Sequence, residues 1–232
     1  MKTRQKLILM VLSAFEKDGY KYRIIDTAGM RKKRMVEENL EFYSVIRTVK
    51  AIEDSDVCML MLDATTGLES QDLSILQLAL RRSKGIVIVV NKWDLIEKET
   101  NTARDFEQVI RQKMAPFTDV PILFISVYDK QRIYKAIEIA LQVAENRARK
   151  IPTSQLNDLI EAAINKQPHP SFRGHLIKIK YGTQLPVPFP AFAMFCNYPE
   201  EVKTNYRNFL ENQIREAFQF TGSPIRIYFR QK

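Results

Sequence analysis

Residues 85–94 read "GIVIVVNKWD", a glycine, five consecutive apolar residues (Ile86–Val90) and then four polar or aromatic ones. A short run that is apolar throughout, rich in Val and Ile, belongs to a strand buried on both faces rather than to an amphipathic helix. The same texture recurs on either side, in "VCMLMLD" (57–63) and "PILFIS" (121–126), with the extended "YRIID" (22–26) upstream. Between these runs lie helical patterns over about 36–53, 71–82, 103–114 and 131–148. Buried strands separated by helices give a parallel sheet covered on both sides, the doubly wound α/β class.

In such a sheet ligands gather beyond the carboxyl ends of the strands, and the polar residues of this sequence fall there in order. "DTAG" (26–29) follows the first run, where Asp26 can meet Mg²⁺ through a water and Gly29 lets backbone approach a γ-phosphate. Asn91, Lys92, Trp93 and Asp94 follow the 86–90 run. A carboxylate such as that of Asp94 can accept from both the N1–H and the exocyclic amine of guanine, a donor pair that adenine lacks. The Asn91 side chain can touch the base or neighbouring loops, and the Lys92 stem can lie along the base plane. Ser126 and Val127 follow the 121–126 run, where a small backbone-exposing residue can reach the guanine O6.

Beyond Arg149-Lys150-Ile151-Pro152 the pattern changes. A helix with Thr153 or Ser154 as N-cap, a strand over 175–184, a Pro-rich turn and second strand, a long helix from Val202, and a last strand over 223–230 make a small α+β domain. The expected domains are 1–150 and 151–232. With a net charge of +9, the chain suits a polyanionic partner, nucleic acid before membrane. "RKKR" (Arg31, Lys32, Lys33, Arg34) is either a phosphate contact or a solvated charge run. Lys178 and Lys180 alternate with Ile177 and Ile179, which puts both amines on one sheet face. Cys58 and Cys196 read as reduced core cysteines, and His169 and His175 carry no catalytic arrangement. The apolar run at 7–12 is at the short limit for a secretory signal and lacks a clear cleavage site; a buried strand explains it, and the expected location is cytoplasmic.

"DTAGMRKKRMVEENLEFYSVIRTVKAIEDSDV", "NKWD" and "RGHLIKIKYGTQ…FCNYP…YRNFLENQIREAFQFTGSPIRIYFR" together resemble the second GTPase domain and C-terminal KH-like domain of the Der (double Era-like, EngA) GTPases. The resemblance runs from about Phe15 to Arg230. It implies a P-loop-NTPase-type α/β sheet followed by a KH-like domain, GTP or GDP with Mg²⁺ as ligands, and work in assembly of the large ribosomal subunit. It implies rRNA and ribosomal proteins as partners, without membrane or DNA. The GTP-binding positions it marks are Asp26, Thr27, Ala28, Gly29, Met30, Asn91, Lys92, Trp93, Asp94, Ser126 and Val127.

The sequence departs from that family in two ways. No G-x-x-x-x-G-K-[ST] occurs anywhere, so the loop that cradles the β- and γ-phosphates, its Lys and its Mg²⁺-binding hydroxyl have no counterpart. The family's first GTPase domain has no counterpart either. Met30 stands where Ras-like GTPases have a water-positioning Gln, and a thioether cannot orient a water. In GTPases with an apolar residue here a K⁺ ion, held partly by the phosphate loop, supplies the charge. Hydrolysis by this chain therefore has no visible catalytic residue. Two functions remain open: a fragment of a Der-type GTPase, or a non-enzymatic ribosome-binding module with a degenerate GTPase domain.

Overall fold

The computed structural model describes the strand backbones at 6–8, 13–17 and 20–24, and residues 49–171 and 174–231 in full. It divides into two compact units, Met1–Ala144 and Glu145–Lys232.

In the first unit, β1 (Lys6–Ile8), β2 (Ser13–Lys17), β3 (Tyr20–Ile24), β4 (Val57–Asp63), β5 (Gly85–Asn91) and β6 (Ile122–Phe124) form one six-stranded sheet in the order β2-β3-β1-β4-β5-β6. All neighbours are parallel except β2, which runs antiparallel to β3 from Ser13↔Ile24 to Lys17↔Tyr20. The slot between β3 and β4 is filled by Lys6–Ile8, which holds the first residues of the apolar run; the rest of that run lies outside the described residues. Residues 49–54 are helical (α1), followed by α2 (Ser70–Arg81), α3 (Thr102–Met114) and α4 (Ile133–Ala148). The rest of the helix expected over 36–53 lies outside the described residues.

The period of two in each strand separates the core into two layers. Cys58, Leu60 and Leu62 of β4, with Ile86, Ile88 and Val90 of β5, pack with Leu76 and Ala79 of α2 and Ile110 and Met114 of α3. The alternate residues Val57, Met59, Val87 and Val89 pack against Ala136, Ala140 and Val143 of α4. Strands apolar at every position are therefore buried on both sides. Gly85 opens β5 because a Cβ there would sit 2.7 Å from Val143 Cγ1 and 3.0 Å from Val57 Cγ2. Its side-chain absence lets α4 close on the sheet.

The second unit follows the expected helix–strand–strand–helix–strand order: α5 (Thr153–Lys166), β7 (Ile179–Gln184), β8 (Ala191–Cys196), α6 (Thr204–Phe218) and β9 (Arg226–Gln231). β8 is central, antiparallel to β7 and parallel to β9. Leu156, Ile160, Phe192, Met194, Tyr206, Leu210, Ile214 and Ile227 form its core. A Cβ on Gly182 would stand 2.4 Å from Ile160 Cδ1 and 2.8 Å from Met194 Sδ. Asn157 exploits that close approach: its Oδ1 accepts from the Gly182 N–H at 2.8 Å and its Nδ2 donates to the Gly182 carbonyl at 3.0 Å.

Three local expectations change. The N-cap of α5 is Pro152, without a side-chain cap; the Leu156 N–H donates to its carbonyl at 3.1 Å. The strand expected from 175 begins at Ile179, because the Asn197 side chain accepts from the Lys178 N–H and donates to the Leu176 carbonyl, occupying that backbone. The register also shifts between Ile179 and Tyr181, so Lys180 is an extra residue in the ladder. Lys178 and Lys180 are both exposed, but the pleat that would align their amines is broken between them.

Both cysteines are free and buried, and burial pushes the Cys58 thiol up to about 12 and the Cys196 thiol upward. Phe192 and Phe209 belong to the core, whereas Phe195 stacks on Tyr181 with centroids 4.6 Å apart and planes 18° from parallel.

Candidate functional site

The carboxyl ends of β4, β5 and β6 bring together Asp63, the 91–94 turn and the 125–131 turn. β5 delivers Asn91 opposite Asp63 in the ladder, and the Ala64 N–H donates to the Asn91 carbonyl at 2.9 Å. The Asn91 Oδ1 accepts from the Val127 N–H at 3.1 Å, tying the end of β5 to the loop after β6. The Trp93 N–H donates to the Ile125 carbonyl at 3.1 Å, a second tie between the same turns. These bonds tie the ends of β5 and β6 to each other.

Ser126 is buried, and its Oγ accepts from the Asp129 N–H at 3.0 Å while its carbonyl accepts from the Gln131 N–H at 2.8 Å. The serine closes its own turn and Val127, half exposed, stands beside it.

Lys92 adopts the left-handed region, φ 61° and ψ 34°, which a non-glycine residue enters only under local constraint. That kink starts the 3-10 turn Trp93–Leu95. The Trp93 ring is turned into the core, 4.2 Å from the Phe124 ring and edge-on to Phe106 at 5.6 Å. The indole packs against the core but stays partly exposed, so it adjoins the turn.

Asp94 follows, and its Oδ1 is buried with no hydrogen-bond partner among the described residues. A buried acceptor left unsatisfied costs about 1–3 kcal/mol. Native proteins retain such a group chiefly where something else satisfies it. The oxygen suits a ligand presenting N–H groups, and guanine's N1–H and exocyclic amine are such a pair.

The residue that the sequence did not mark is Asp63. Its Oδ1 accepts from the Thr65 N–H at 3.0 Å and the Thr65 hydroxyl at 2.7 Å, and its Oδ2 pairs with Lys92 Nζ at 2.6 Å. The Lys92 amine and the Thr65 donors hold the Asp63 carboxyl down at about 2. The signal was available: Asp63 ends "VCMLMLD" one strand away from Asn91, in the same position that singled out "NKWD".

Asp26, Thr27, Ala28, Gly29, Met30 and the basic run Arg31, Lys32, Lys33 and Arg34 lie outside the described residues. No cluster of His, Cys, Asp or Glu among the described residues could hold a metal ion, and no described helix is long and apolar enough to cross a membrane.

A parallel sheet with both faces covered and its polar turns collected at the strand ends is the frame of a nucleotide-binding α/β protein. Residues 2–169 match the family model described as the elongation factor Tu GTP binding domain, and residues 150–230 match that of the KH-domain-like C-terminal part of EngA bacterial GTPases. The chain belongs to this GTP-binding family, and within it to the Der (EngA) GTPases. It is 53% identical to the GTPase Der of Christiangramia forsetii over 94% of its own length and 50% of that protein's. It is 51% identical to that of Bacteroides thetaiotaomicron over 96% of its own length and 51% of the relative's. The chain thus spans about half the length of the curated relatives it matches. Among solved structures, the translation elongation factor SelB of Methanococcus maripaludis with a GTP analogue superposes with a TM-score of 0.51 at 15% identity. That match covers 66% of this chain and 36% of SelB, and shows the shared fold.

Proposed function

We propose that the first unit binds the base of a guanine nucleotide at the 91–94 and 126–127 turns. In this reading Asp94 accepts from guanine, Asn91 holds the Val127 loop beside the base, and the Lys92 stem flanks it. The observation that supports it is the buried Asp94 Oδ1, which has no hydrogen-bond partner among the described residues. The residues present suit the base; the triphosphate is another matter, because the sequence holds no phosphate-cradling loop. Asp26 is the residue that would meet Mg²⁺ through a water, and Thr27–Met30 would lie at the γ-phosphate. The ion would supply charge neutralisation to the phosphates.

At the level of the whole protein, we propose that the chain is the second GTPase domain and KH-like tail of a Der-type GTPase acting in biogenesis of the large ribosomal subunit in the cytoplasm. The half-length match to Der relatives supports the first part, and the surplus of Lys and Arg over Asp and Glu, 36 against 27, supports a polyanionic partner. The domains would be 1–150 and 151–232. Arg31–Arg34, Lys178 and Lys180 are the proposed rRNA contacts. The tail lacks the GXXG loop with which KH domains clamp RNA, so backbone contact is favoured over base readout.

Titration with guanosine, against adenosine as control, tests the base site without depending on a phosphate cradle. Trp93 is the chain's single tryptophan and adjoins Asp94, so its fluorescence reports the event. Guanosine should perturb it and adenosine should not. Equal response to both would overturn the base assignment.

A further inference from the structure

We propose that Asp63 is a positioning residue for the base site, holding Lys92 in place from the end of the neighbouring strand. The inference rests on the guanine-base reading above and adds a residue to it. Three geometric facts carry it. Asp63 is paired in register with Asn91, so its carboxylate is fixed to the strand end that launches the base turn. Its Oδ1 is committed to the Thr65 N–H and hydroxyl, which aims Oδ2 at the Lys92 amine 2.6 Å away. The Asp63 side chain is only 14% exposed, whereas that of Lys92 is 53% exposed, so the anchored member is the carboxylate and the held member is the lysine.

The physical consequence concerns order. A free lysine side chain carries rotamer entropy, and a stem that must flank a base gives it up on binding. Here the stem is already restrained at its tip by Asp63 and at its root by the left-handed backbone of Lys92. Asp63 does not need to touch the base to strengthen its capture. It acts through Lys92.

The test is a thermodynamic cycle on the full chain, with guanosine and inosine as probes and Trp93 fluorescence as the readout. Asp63→Asn removes the charge and keeps the shape; Lys92→Met keeps the stem and removes the amine. Each single change should weaken guanosine about tenfold, and the double variant should be no weaker than either, because both break one contact. Inosine lacks the exocyclic amine but still faces Lys92. Asp63→Asn should therefore weaken both nucleosides equally and leave their ratio, which Asp94 sets, unchanged. A collapsed ratio would mean that Asp63 merely supports the turn as a whole, and additive losses would mean that it does not work through Lys92; either overturns the inference. So would unaltered affinity in both single variants. If Asp63→Asn does not fold, Lys92→Met probes the same pair from its exposed end, and its unaltered affinity alone refutes the proposal. If the unaltered chain does not prefer guanosine to adenosine, it is the base assignment itself that falls.

Discussion

Replacing Asp94 with Ala sets stability and binding against each other. The Asp94 Oδ1 is buried and has no hydrogen-bond partner among the described residues. Leaving such an acceptor unsatisfied costs about 1–3 kcal/mol, so its removal relieves that penalty. Truncation also gives up some side-chain packing, and about 1 kcal/mol of net stabilisation is expected. For a domain of this size that is a rise in Tm of about 3–5 °C. Binding should move the other way. Two hydrogen bonds to a charged acceptor contribute about 1.5–3 kcal/mol each, so their loss weakens guanosine by about two to four decades. Thermal melts followed by circular dichroism give the first quantity, and Trp93 fluorescence gives the second. A variant less stable than the parent, binding guanosine as before, would refute the reasoning, because it would show that the carboxylate serves the fold and not a ligand.

Further outcomes are expected elsewhere. Asp94→Asn should shift preference from guanosine towards xanthosine in a competition titration, since an amide can donate to xanthine's extra carbonyl; unchanged selectivity would remove Asp94 from base reading. A fluorescent GTP or GDP analogue should bind the unaltered chain with a Kd above about 1 μM, because the sequence holds no G-x-x-x-x-G-K-[ST] to cradle the β- and γ-phosphates; a tighter value would show that another segment replaces the cradle. Asp63, held at about 2 against an ordinary 3.8, contributes stability that is present above pH 4 and lost as pH falls through 2. Because Lys92 is half exposed, solvent screening limits this to about 1 kcal/mol, and acid urea melts of the parent against Asp63→Asn should show the difference vanish in that window. Gly182→Ala should destabilise the second unit by about 1–3 kcal/mol in urea melts, since its Cβ would press on Ile160 and Met194.

Legibility in the sequence followed the strength of burial. Ile86–Val90 and Val57–Leu62 are apolar at every position, and a run that leaves no face for water admits only a strand covered on both sides. Their end residues could therefore be placed beyond the sheet without coordinates. The tail's order of elements was equally readable, because α5 and α6 repeat apolar residues at helical spacing. What failed was anything decided by a single local contact. The Lys178–Lys180 alternation looks like a regular strand, but the side chain of Asn197 occupies the backbone at 176–178, and the ladder then absorbs Lys180 as an extra residue. Thr153 and Ser154 are good N-caps by type, yet Thr153 is already the first helical residue and the Pro152 carbonyl accepts from the Leu156 N–H.

The candidate site shows the same division. Asn91 and Asp94 announce themselves by type and position, because a polar residue directly after a buried strand has one place to go. Asp63 has the same credentials, but its part depends on Lys92, twenty-nine positions away in the chain and one strand away in space. Only the parallel register of β4 on β5, which sets Asp63 opposite Asn91, brings its carboxylate within 2.6 Å of the Lys92 amine. A one-residue slip of that register would turn Asp63 to the opposite face of the sheet and leave Lys92 free. The register is in turn held by two buried layers, the alternating residues of both strands packed against α2 and α3 on one side and α4 on the other. The packing of the core, far from any ligand, thus determines which charges meet at the strand ends.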